Sequence, residues 1–193
     1  ADEVRGEIDI DKQNNIYIAT CTNSTDFPVI NGFQTISSGG LEGCIIKMDN
    51  QLTSIIWSTY LGGQSDDAIY SLALDNDDDI YVTGGTNSTD FPTTLNAYQS
   101  SYQDSIKADA FVTQISSNGS HILNSSYFGT NHYDQAYFVE IGSTNDIYLF
   151  GQTKTTGTQM VKNASYSVVD GSQFIAVFNE DLSNLLRSTV VGT

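Results

Sequence analysis

The side chains with the clearest potential for chemistry are three closely spaced carboxylates, Asp75, Asp77 and Asp79. Alternating aspartates supply the first oxygen ligands in many calcium-binding loops. A complete loop of that kind also needs a glycine at its sixth position and a distal glutamate, and Ile80 occupies the glycine position. The triplet is therefore a weak calcium candidate. The alternative is a polar turn that joins two strands, and we otherwise expect no cofactor.

A second set of acids recurs along the chain. Asp2, Asp66 and Asp134 follow one another at nearly equal intervals, and Asp67 comes directly after Asp66. Carboxylates at matching positions could form a ring around a channel mouth, which would suit cationic groups or divalent cations. The alternative is a set of ordinary solvated acids. A pair of carboxylates can also hydrolyse glycosides, but nothing in the sequence selects a pair.

Aromatic and histidine side chains accompany these acids. His132 and Tyr133 precede Asp134, while Tyr98 and Tyr102 belong to a long polar stretch. Tyrosine rings suit stacking on sugars or packing in a protein interface. Because the chain has no Gly-x-Ser-x-Gly motif or other nucleophile signature, we predict a protein that is not an enzyme. The predicted ligand-binding residues are Asp66, Asp67, Tyr98, Tyr102, His132, Tyr133 and Asp134.

Charge excludes some classes of partner. The chain has 23 acidic and 7 basic residues, which gives a formal charge of −16. Nucleic-acid binding needs clustered lysine and arginine, and anionic membrane surfaces need the same. No apolar run is long enough for a membrane-spanning helix, so we also predict that no segment inserts into a membrane.

An internal repeat must position these side chains. Tyr17, Tyr81 and Tyr148 occur in related stretches that recur at nearly equal intervals. A second landmark, such as Tyr-Leu-Gly-Gly at the end of the first unit, closes each repeat. The predicted units are 1–63, 64–130 and 131–193. Repeats of this kind bury their apolar faces against their neighbours.

Each unit contains four strand-like runs, which favours an all-β fold built of β-propeller blades. In the second unit the predicted strands are Ala68–Leu74, Ile80–Thr86, Phe111–Ser116 and Ile122–Phe128. A β-solenoid or an immunoglobulin-like array is the alternative. Three blades cannot close a ring, since propellers have about 4–8 blades. We therefore expect part of a larger propeller, completed by further blades of the same or another chain.

The two cysteines, Cys21 and Cys44, both lie in the first unit. The repeat places Cys21 near the end of the second strand and Cys44 near the start of the third strand. Because these strands should be antiparallel neighbours, we predict a disulfide between the two residues. Two buried free thiols are the alternative. A disulfide would agree with an oxidising, extracellular setting.

The stretch 66–129 resembles the bacterial SBBP repeat, named for a seven-bladed β-propeller. The resemblance rests on Asp-Ile-Tyr-Val-Thr-Gly-Gly-Thr-Asn-Ser-Thr-Asp-Phe-Pro at 79–92 and on Ser-Ser-Tyr-Phe-Gly at 125–129. The first unit repeats Asn-Ser-Thr-Asp-Phe-Pro at 23–28, whereas the third unit has Lys-Thr-Thr-Gly at 154–157. The resemblance implies a large secreted or surface-attached bacterial protein. It implies no catalytic residues.

These observations predict a non-catalytic binding or scaffold module that is extracellular or on a bacterial cell surface. Its partner would be a polysaccharide or a surface protein. In a propeller, the connections between blades and the loops between the second and third strands share one face. That face, built from 23–43, 62–67, 87–110, 129–135 and 154–173, is the predicted binding face. The alternatives are a carbohydrate-active enzyme with carboxylates near the axis, or a structural spacer in an adhesin.

Overall fold

The computed structural model of the chain describes residues 5–103 and 107–192, and its secondary structure there consists of strands and turns. The first sheet contains β1 (Glu7–Ile10), β2 (Ile16–Thr22), β3 (Glu42–Met48) and β4 (Ile55–Leu61). The second contains β5 (Asp67–Leu74), β6 (Ile80–Thr86), β7 (Asp109–Ile115) and β8 (Ile122–Phe128). The third contains β9 (Asp134–Ile141), β10 (Ile147–Thr153), β11 (Gln173–Phe178) and β12 (Leu185–Val191).

Every sheet consists of four consecutive antiparallel strands in chain order, and we call the sheets blades one, two and three. The first strands β1, β5 and β9 lie beside one another on the inside of the arrangement. The prediction of an all-β fold with three four-stranded antiparallel units is confirmed. In blade two, β6 and β8 have the predicted bounds, while β5 begins one residue earlier and β7 covers 109–115 instead of 111–116.

The turns between first and second strands have the same backbone in all three blades. Asn14, Asp78 and Asn145 adopt positive φ angles of 62°, 61° and 60° at equivalent positions. Asparagine and aspartate tolerate this left-handed region better than most residues. Each linker has asparagine or aspartate at this left-handed position, which explains why three different sequences form the same hairpin.

Asp75 stabilises its turn through its own carboxylate. The Oδ1 atom accepts hydrogen bonds from the backbone N–H groups of Asp77 and Asp79, both at 2.9 Å. Asp79 in turn accepts a 2.7 Å bond from the backbone N–H of Ser117. These carboxylates therefore satisfy backbone donors in a tight hairpin. A cation bound at this triplet would have to compete with those bonds.

The long loops between second and third strands do not project freely from the predicted face. Each loop instead runs back along the outermost strand of its own blade and forms hydrogen bonds with it. The backbone of Ile30 bonds with Ser58 on β4, Thr94 with Ser125 on β8, and Lys162 with Ser188 on β12. The loops thus cover the open edge of each sheet, which would otherwise offer unpaired backbone groups.

The Asp-Phe-Pro motif builds this loop. Phe91 is buried and packs on Phe111 and Tyr127, with ring centroids 4.4 and 5.9 Å away. The hydroxyl of Tyr127 donates a 2.7 Å bond to the carbonyl of Ser88, and the side chain of Ser125 donates to the carbonyl of Pro92. Blade one repeats these contacts with Phe27, Tyr60, Ser24, Ser58 and Pro28.

Packing between blades is face to face. Tyr17, Ala19 and Ile45 of blade one meet Ile80, Val82 and Leu72 of blade two in one buried cluster. Tyr81 and Val112 of blade two meet Val139, Ile147 and Leu149 of blade three in the other. The repeated tyrosines Tyr17 and Tyr81 therefore occupy the same interfacial position. Burial of such side chains contributes about 1.5–3 kcal/mol each.

Trp57 also joins blades one and two. Its side chain is only 2% exposed, and its indole N–H donates a 3.0 Å hydrogen bond to the carbonyl of Ser117. Gly119 lies against the indole ring, so a β-carbon at this position would approach the ring within 2.3 Å. The tryptophan therefore packs at the junction of the two blades, next to a turn that has room for glycine alone.

The predicted disulfide between Cys21 and Cys44 is wrong, since both thiols are free. Cys44 pairs with Thr20 across the β2–β3 ladder, while Cys21 pairs with Gly43. Adjacent residues of a strand point to opposite faces, so this one-residue difference turns the two thiols away from each other. Burial raises the pKa of both thiols, that of Cys44 to about 12. They are packing groups with little nucleophilic thiolate.

The turn at Leu52 generates a prediction about stability. Leu52 has a φ of 59° and is 64% exposed, so it bears left-handed strain without a packing role. We expect Leu52→Asn to raise the free energy of unfolding by about 1 kcal/mol, because asparagine tolerates this region. Chemical denaturation of the purified chain measures the change.

Leu182 is the matched control, with a φ of 56° at the equivalent turn position of blade three but a fully buried side chain. Leu182→Asn should lower the free energy of unfolding by about 2–5 kcal/mol, because it removes core packing. If the two variants changed stability in the same direction, backbone strain would not explain the effect at Leu52.

Candidate functional site

A buried carboxylate holds the connection between blades one and two. The Oδ2 atom of Asp67 accepts a 2.6 Å bond from the backbone N–H of Gly63 and a 2.8 Å bond from the hydroxyl of Ser88. The Ser88 hydroxyl also accepts a 2.9 Å bond from the backbone N–H of Ser65. Asp67 is 1% exposed. It therefore ties the interblade connection to the start of the β6–β7 loop.

Asp134 holds the connection between blades two and three in the same way. Its Oδ2 atom accepts bonds from the backbone N–H and the hydroxyl of Thr130, at 2.6 and 2.8 Å. Its side chain is fully buried. Asp67 and Asp134 were predicted to bind a ligand, and the structure places both carboxylates in buried junctions where they accept internal hydrogen bonds. Asp2, the third member of the predicted acid ring, lies outside the described residues.

A second acid at each junction was missed by sequence reasoning. Glu42 and Asp109 begin the third strands of blades one and two and are fully buried. Glu42 accepts bonds from the side chain of Gln34 at 2.6 Å and the backbone N–H of Gly39 at 3.1 Å. Asp109 accepts a bond from the backbone N–H of Gln103 at 2.8 Å and a longer one from the Gln99 side chain at 3.4 Å.

Gln34 and Gln99 link these acids to the ends of the outer strands. Besides the Nε2 donation to the acid, each side-chain carbonyl accepts from a glycine backbone N–H, Gly62 at 3.1 Å and Gly129 at 3.0 Å. The signal was present in the sequence, since both glutamines precede the third-strand acid. It was obscured because the two loops differ in length, so the interval between glutamine and acid is not the same in both.

Burial changes the electrostatics of the junction. It raises the pKa of Asp67 to about 6, although hydrogen bonds to the carboxylate oppose the shift. The negative charge of Glu42 contributes to the same increase. Burial likewise raises the pKa values of Glu42 and Asp134. Each junction therefore holds acids that ionise less readily than surface carboxylates, because burial penalises their charged forms.

An open groove lies directly above the Asp67 junction. It has a volume of about 540 Å³ and is lined by Gly40, Gln64, Ser65, Asp66, Asn87, Thr89 and Tyr102. We call it the junction groove. The Oδ1 atom of Asp66 accepts a 2.9 Å bond from the backbone N–H of Leu41, and the backbone N–H of Asn87 bonds the carbonyl of Asp66. These bonds hold the three chain segments that form the groove together.

The structure brings two of the predicted ligand-binding residues together, because Asp66 and Tyr102 line the same groove. The hydroxyl of Tyr102 donates to the carbonyl of Lys107, and its ring packs on Tyr127 at 6.0 Å. The ring is therefore held in place at the edge of the groove. Gln64, Ser65, Asn87 and Thr89 complete the polar lining and were not among the predicted residues.

Tyr98, His132 and Tyr133 line other parts of the surface. Tyr98 is 40% exposed and packs on Phe178 of blade three, with ring centroids 5.6 Å apart. Its backbone N–H also bonds the carbonyl of Leu182, so it helps to hold blades two and three together. His132 is half-buried and follows Thr130, whose hydroxyl accepts from its backbone N–H at 3.2 Å.

Tyr133 belongs to a separate hydrogen-bonded cluster on the inner side of blade three. Its hydroxyl donates to the side-chain oxygen of Gln135 at 2.7 Å, and the hydroxyl of Tyr137 reaches the same oxygen at 3.2 Å. Lys154 lies 5.7 Å from the centroid of the Tyr133 ring. Tyr133 corresponds in the repeat to Asp66, since both carbonyls accept from the residue after the second strand. Tyr133 therefore takes the backbone position of Asp66 at the second junction.

Within 5–103 and 107–192, no three histidine, cysteine or acidic side chains are arranged to hold a metal ion. No helix in that part of the chain is long and apolar enough to cross a membrane.

The buried Asp67 predicts a specific dependence of stability on pH. The carboxyl group has an ordinary pKa of 3.8 and a folded pKa of about 6. It therefore contributes stability that is fully present below about pH 4 and lost as the pH rises through 6. We expect the free energy of unfolding of Asp67→Asn, relative to the unsubstituted chain, to increase by up to about 3 kcal/mol between pH 4 and pH 8.

Chemical denaturation of both chains across this pH range gives the comparison. Asp66→Asn is the matched control, because it removes the exposed carboxylate next to Asp67 and leaves the buried one in place. A relative stability of Asp67→Asn that did not change, or that fell with rising pH, would contradict the electrostatic account of the junction.

Comparison with known proteins agrees with this geometry. Residues 56–92 match the family model described as SBBP, a beta-propeller repeat. The matched stretch includes most of β4, all of β5 and β6, and the Asn-Ser-Thr-Asp-Phe-Pro run that begins the next loop. It therefore contains Asp67 and most of the groove lining. No curated protein matches the chain significantly. Residues 56–92 are an SBBP-type repeat, and the three sheets are β-propeller blades.

Proposed function

We propose that the chain is a binding module that holds a polysaccharide in the junction groove. The observation that carries this proposal is the lining of the groove by one fixed tyrosine ring together with amide, hydroxyl and carboxylate groups. Sugar hydroxyls both donate and accept hydrogen bonds, which matches the side chains of Gln64, Ser65 and Asn87. The ring of Tyr102 offers an apolar surface on which the C–H face of a sugar ring can pack.

The shape of the groove favours a chain over a small compact ligand. The groove is open along the junction between two blades, and its base is fixed by backbone hydrogen bonds at Leu41, Ser65 and Asn87. An open and rigid surface binds an extended polymer without a large cost in ordering the protein.

The charge of the groove indicates which polysaccharides it accepts. The described part of its lining contains the Asp66 carboxylate and no lysine or arginine, and the whole chain carries a formal charge of −16. Repulsion disfavours polysaccharides with carboxylate or sulfate groups. Neutral or amino-sugar polymers are therefore the class that we propose. A surface protein with a basic patch is the second candidate, because the same charge would attract it.

An extracellular or cell-surface location remains part of this proposal. The repeat family supports it, since the resemblance implies secreted or surface-attached bacterial proteins. The free thiols of Cys21 and Cys44 lend it no support, because they form no disulfide.

Binding to a glycan array, followed by calorimetric titration of the strongest neutral polymer, tests the proposal. We expect Tyr102→Ala to weaken binding at least tenfold, because a stacking surface at the edge of the groove is lost. Tyr166→Ala is the matched control, since Tyr166 is 67% exposed on a loop of blade three and does not line the groove. Its affinity should equal that of the unsubstituted chain.

The same experiment distinguishes the alternatives. Retention of acidic polymers only, or equal losses in both tyrosine variants, would overturn the proposed site. If the bound polymer were shortened on incubation and Asp66→Asn abolished the shortening, the chain would be a carbohydrate-active enzyme. If no glycan bound and the groove variants left every protein interaction unchanged, the spacer function would be favoured.

A further inference from the structure

The two outer sheet surfaces of the chain carry exposed apolar side chains. The equivalent side chains of the other blades are buried between neighbouring blades. One surface is on blade three and consists of Phe138, Tyr148, Phe150 and Ile175, which we call the forward face. The other is on blade one and is centred on Ile8 and Ile10, which we call the rear face. On the forward face the Arg187 guanidinium reaches the hydroxyl of Tyr148 at 3.5 Å, while Phe138, Tyr148, Ile175, Ile8 and Ile10 remain exposed in the described part of the chain.

Strand register shows what the forward face corresponds to. Tyr148 occupies the position of Tyr17 and Tyr81, and it is 36% exposed where those residues are 0% and 1% exposed. Ile175 likewise occupies the position of Ile45 and Val112, and it is 39% exposed where both of those are fully buried. The forward face is therefore the same surface with which blades one and two each contact the next blade.

The rear face corresponds to the opposite side of the same interfaces. Ile8 occupies the position of Leu72 in blade two and Val139 in blade three. It is 64% exposed, whereas its counterparts are 4% and 3% exposed. Ile16 and Ile18 lie beside Ile10 and Ile8 on β2 and are also partly exposed. The rear face thus has the aliphatic surface that a forward face contacts inside the chain.

At two positions the forward face is more apolar than its internal counterparts, while Arg187 takes the place of Trp57 and Asn124. Phe138 replaces Glu7 and Ser71, and Phe150 replaces Ala19 and Thr83, with the two new rings 6.1 Å apart. Glu7 and Ser71 each accept a hydrogen bond from the next blade, at Leu72 and Val139. Phe138 cannot accept such a hydrogen bond and instead exposes an aromatic ring to solvent. Exposed apolar surface of this kind indicates an interaction site.

We propose that a second copy of this chain covers the forward face with its rear face. The two faces are unlike, each fits the internal interfaces in register, and both are present on one chain. The contact is therefore head to tail and continues the blade-on-blade packing already present at the two internal junctions. Such a contact either closes into a ring or continues as an open assembly. It shares no residue with the junction groove, so it does not depend on glycan binding.

Sedimentation velocity of the full chain tests the proposal, and the head-to-tail geometry allows a sharp design. We expect the unsubstituted chain to sediment as a dimer or larger assembly. Ile175→Asp places a charge on the forward face, and Ile8→Asp places a charge on the rear face. Each variant alone should therefore sediment mainly as a monomer. Mixed in equal amounts, the two variants should form a heterodimer, because each retains the face that the other has lost.

Leu95→Asp is the matched control, since Leu95 is 99% exposed on a loop away from both faces, and it should associate as the unsubstituted chain does. Phe138→Lys provides a second forward-face variant, and circular dichroism verifies that each chain is folded. A monomeric unsubstituted chain would overturn the proposal. So would a mixture that stays monomeric, or association that all the face variants leave unchanged.

Discussion

The structure depends on one constraint, which is that each four-stranded sheet has apolar side chains on both faces. A single neighbouring element can cover only one of these faces. Every blade therefore needs a neighbour on each side. The tyrosines at 17 and 81 meet this requirement by packing on the aliphatic face of the following blade. Because the interfaces share one register, the inner strands converge and the interblade connections come to lie at matching places.

Those connections are where the polar part of the structure is concentrated. Buried packing between sheets fixes the distance between blades but leaves the connecting backbone without partners. Asp67 and Asp134 supply them, since each accepts the backbone N–H of the residue four positions before it. Buried polar groups of this kind must be satisfied, and the same bonds fix the walls of the groove above. The candidate binding surface is therefore a consequence of how the blades are joined.

Much of the fold could be predicted from sequence, because the strand runs of blade two alternate with strong turn residues and recur in three copies. The groove was harder to predict. Asp66 and Tyr102 were recognised by residue type, but Gln64, Asn87 and Thr89 are ordinary polar residues that become neighbours only through hydrogen bonds between loops. Asp67 was predicted as a ligand-binding residue, and its burial could not be foreseen because it follows from the Gly63 and Ser88 contacts. The disulfide prediction failed on register, since a single residue reverses the side of a strand on which a thiol lies.

The course of the long loops has a consequence for how readily proteases can digest the chain. A protease must draw a segment of substrate into its active site in an extended form, and it usually cuts at exposed loop tips that can be displaced easily. The segments that contain Ile30, Thr94 and Lys162 are bonded through their backbone to the outer strands. Cleavage there requires those bonds to break first. The loops that bear most of the sequence variation among the blades are thereby protected from digestion.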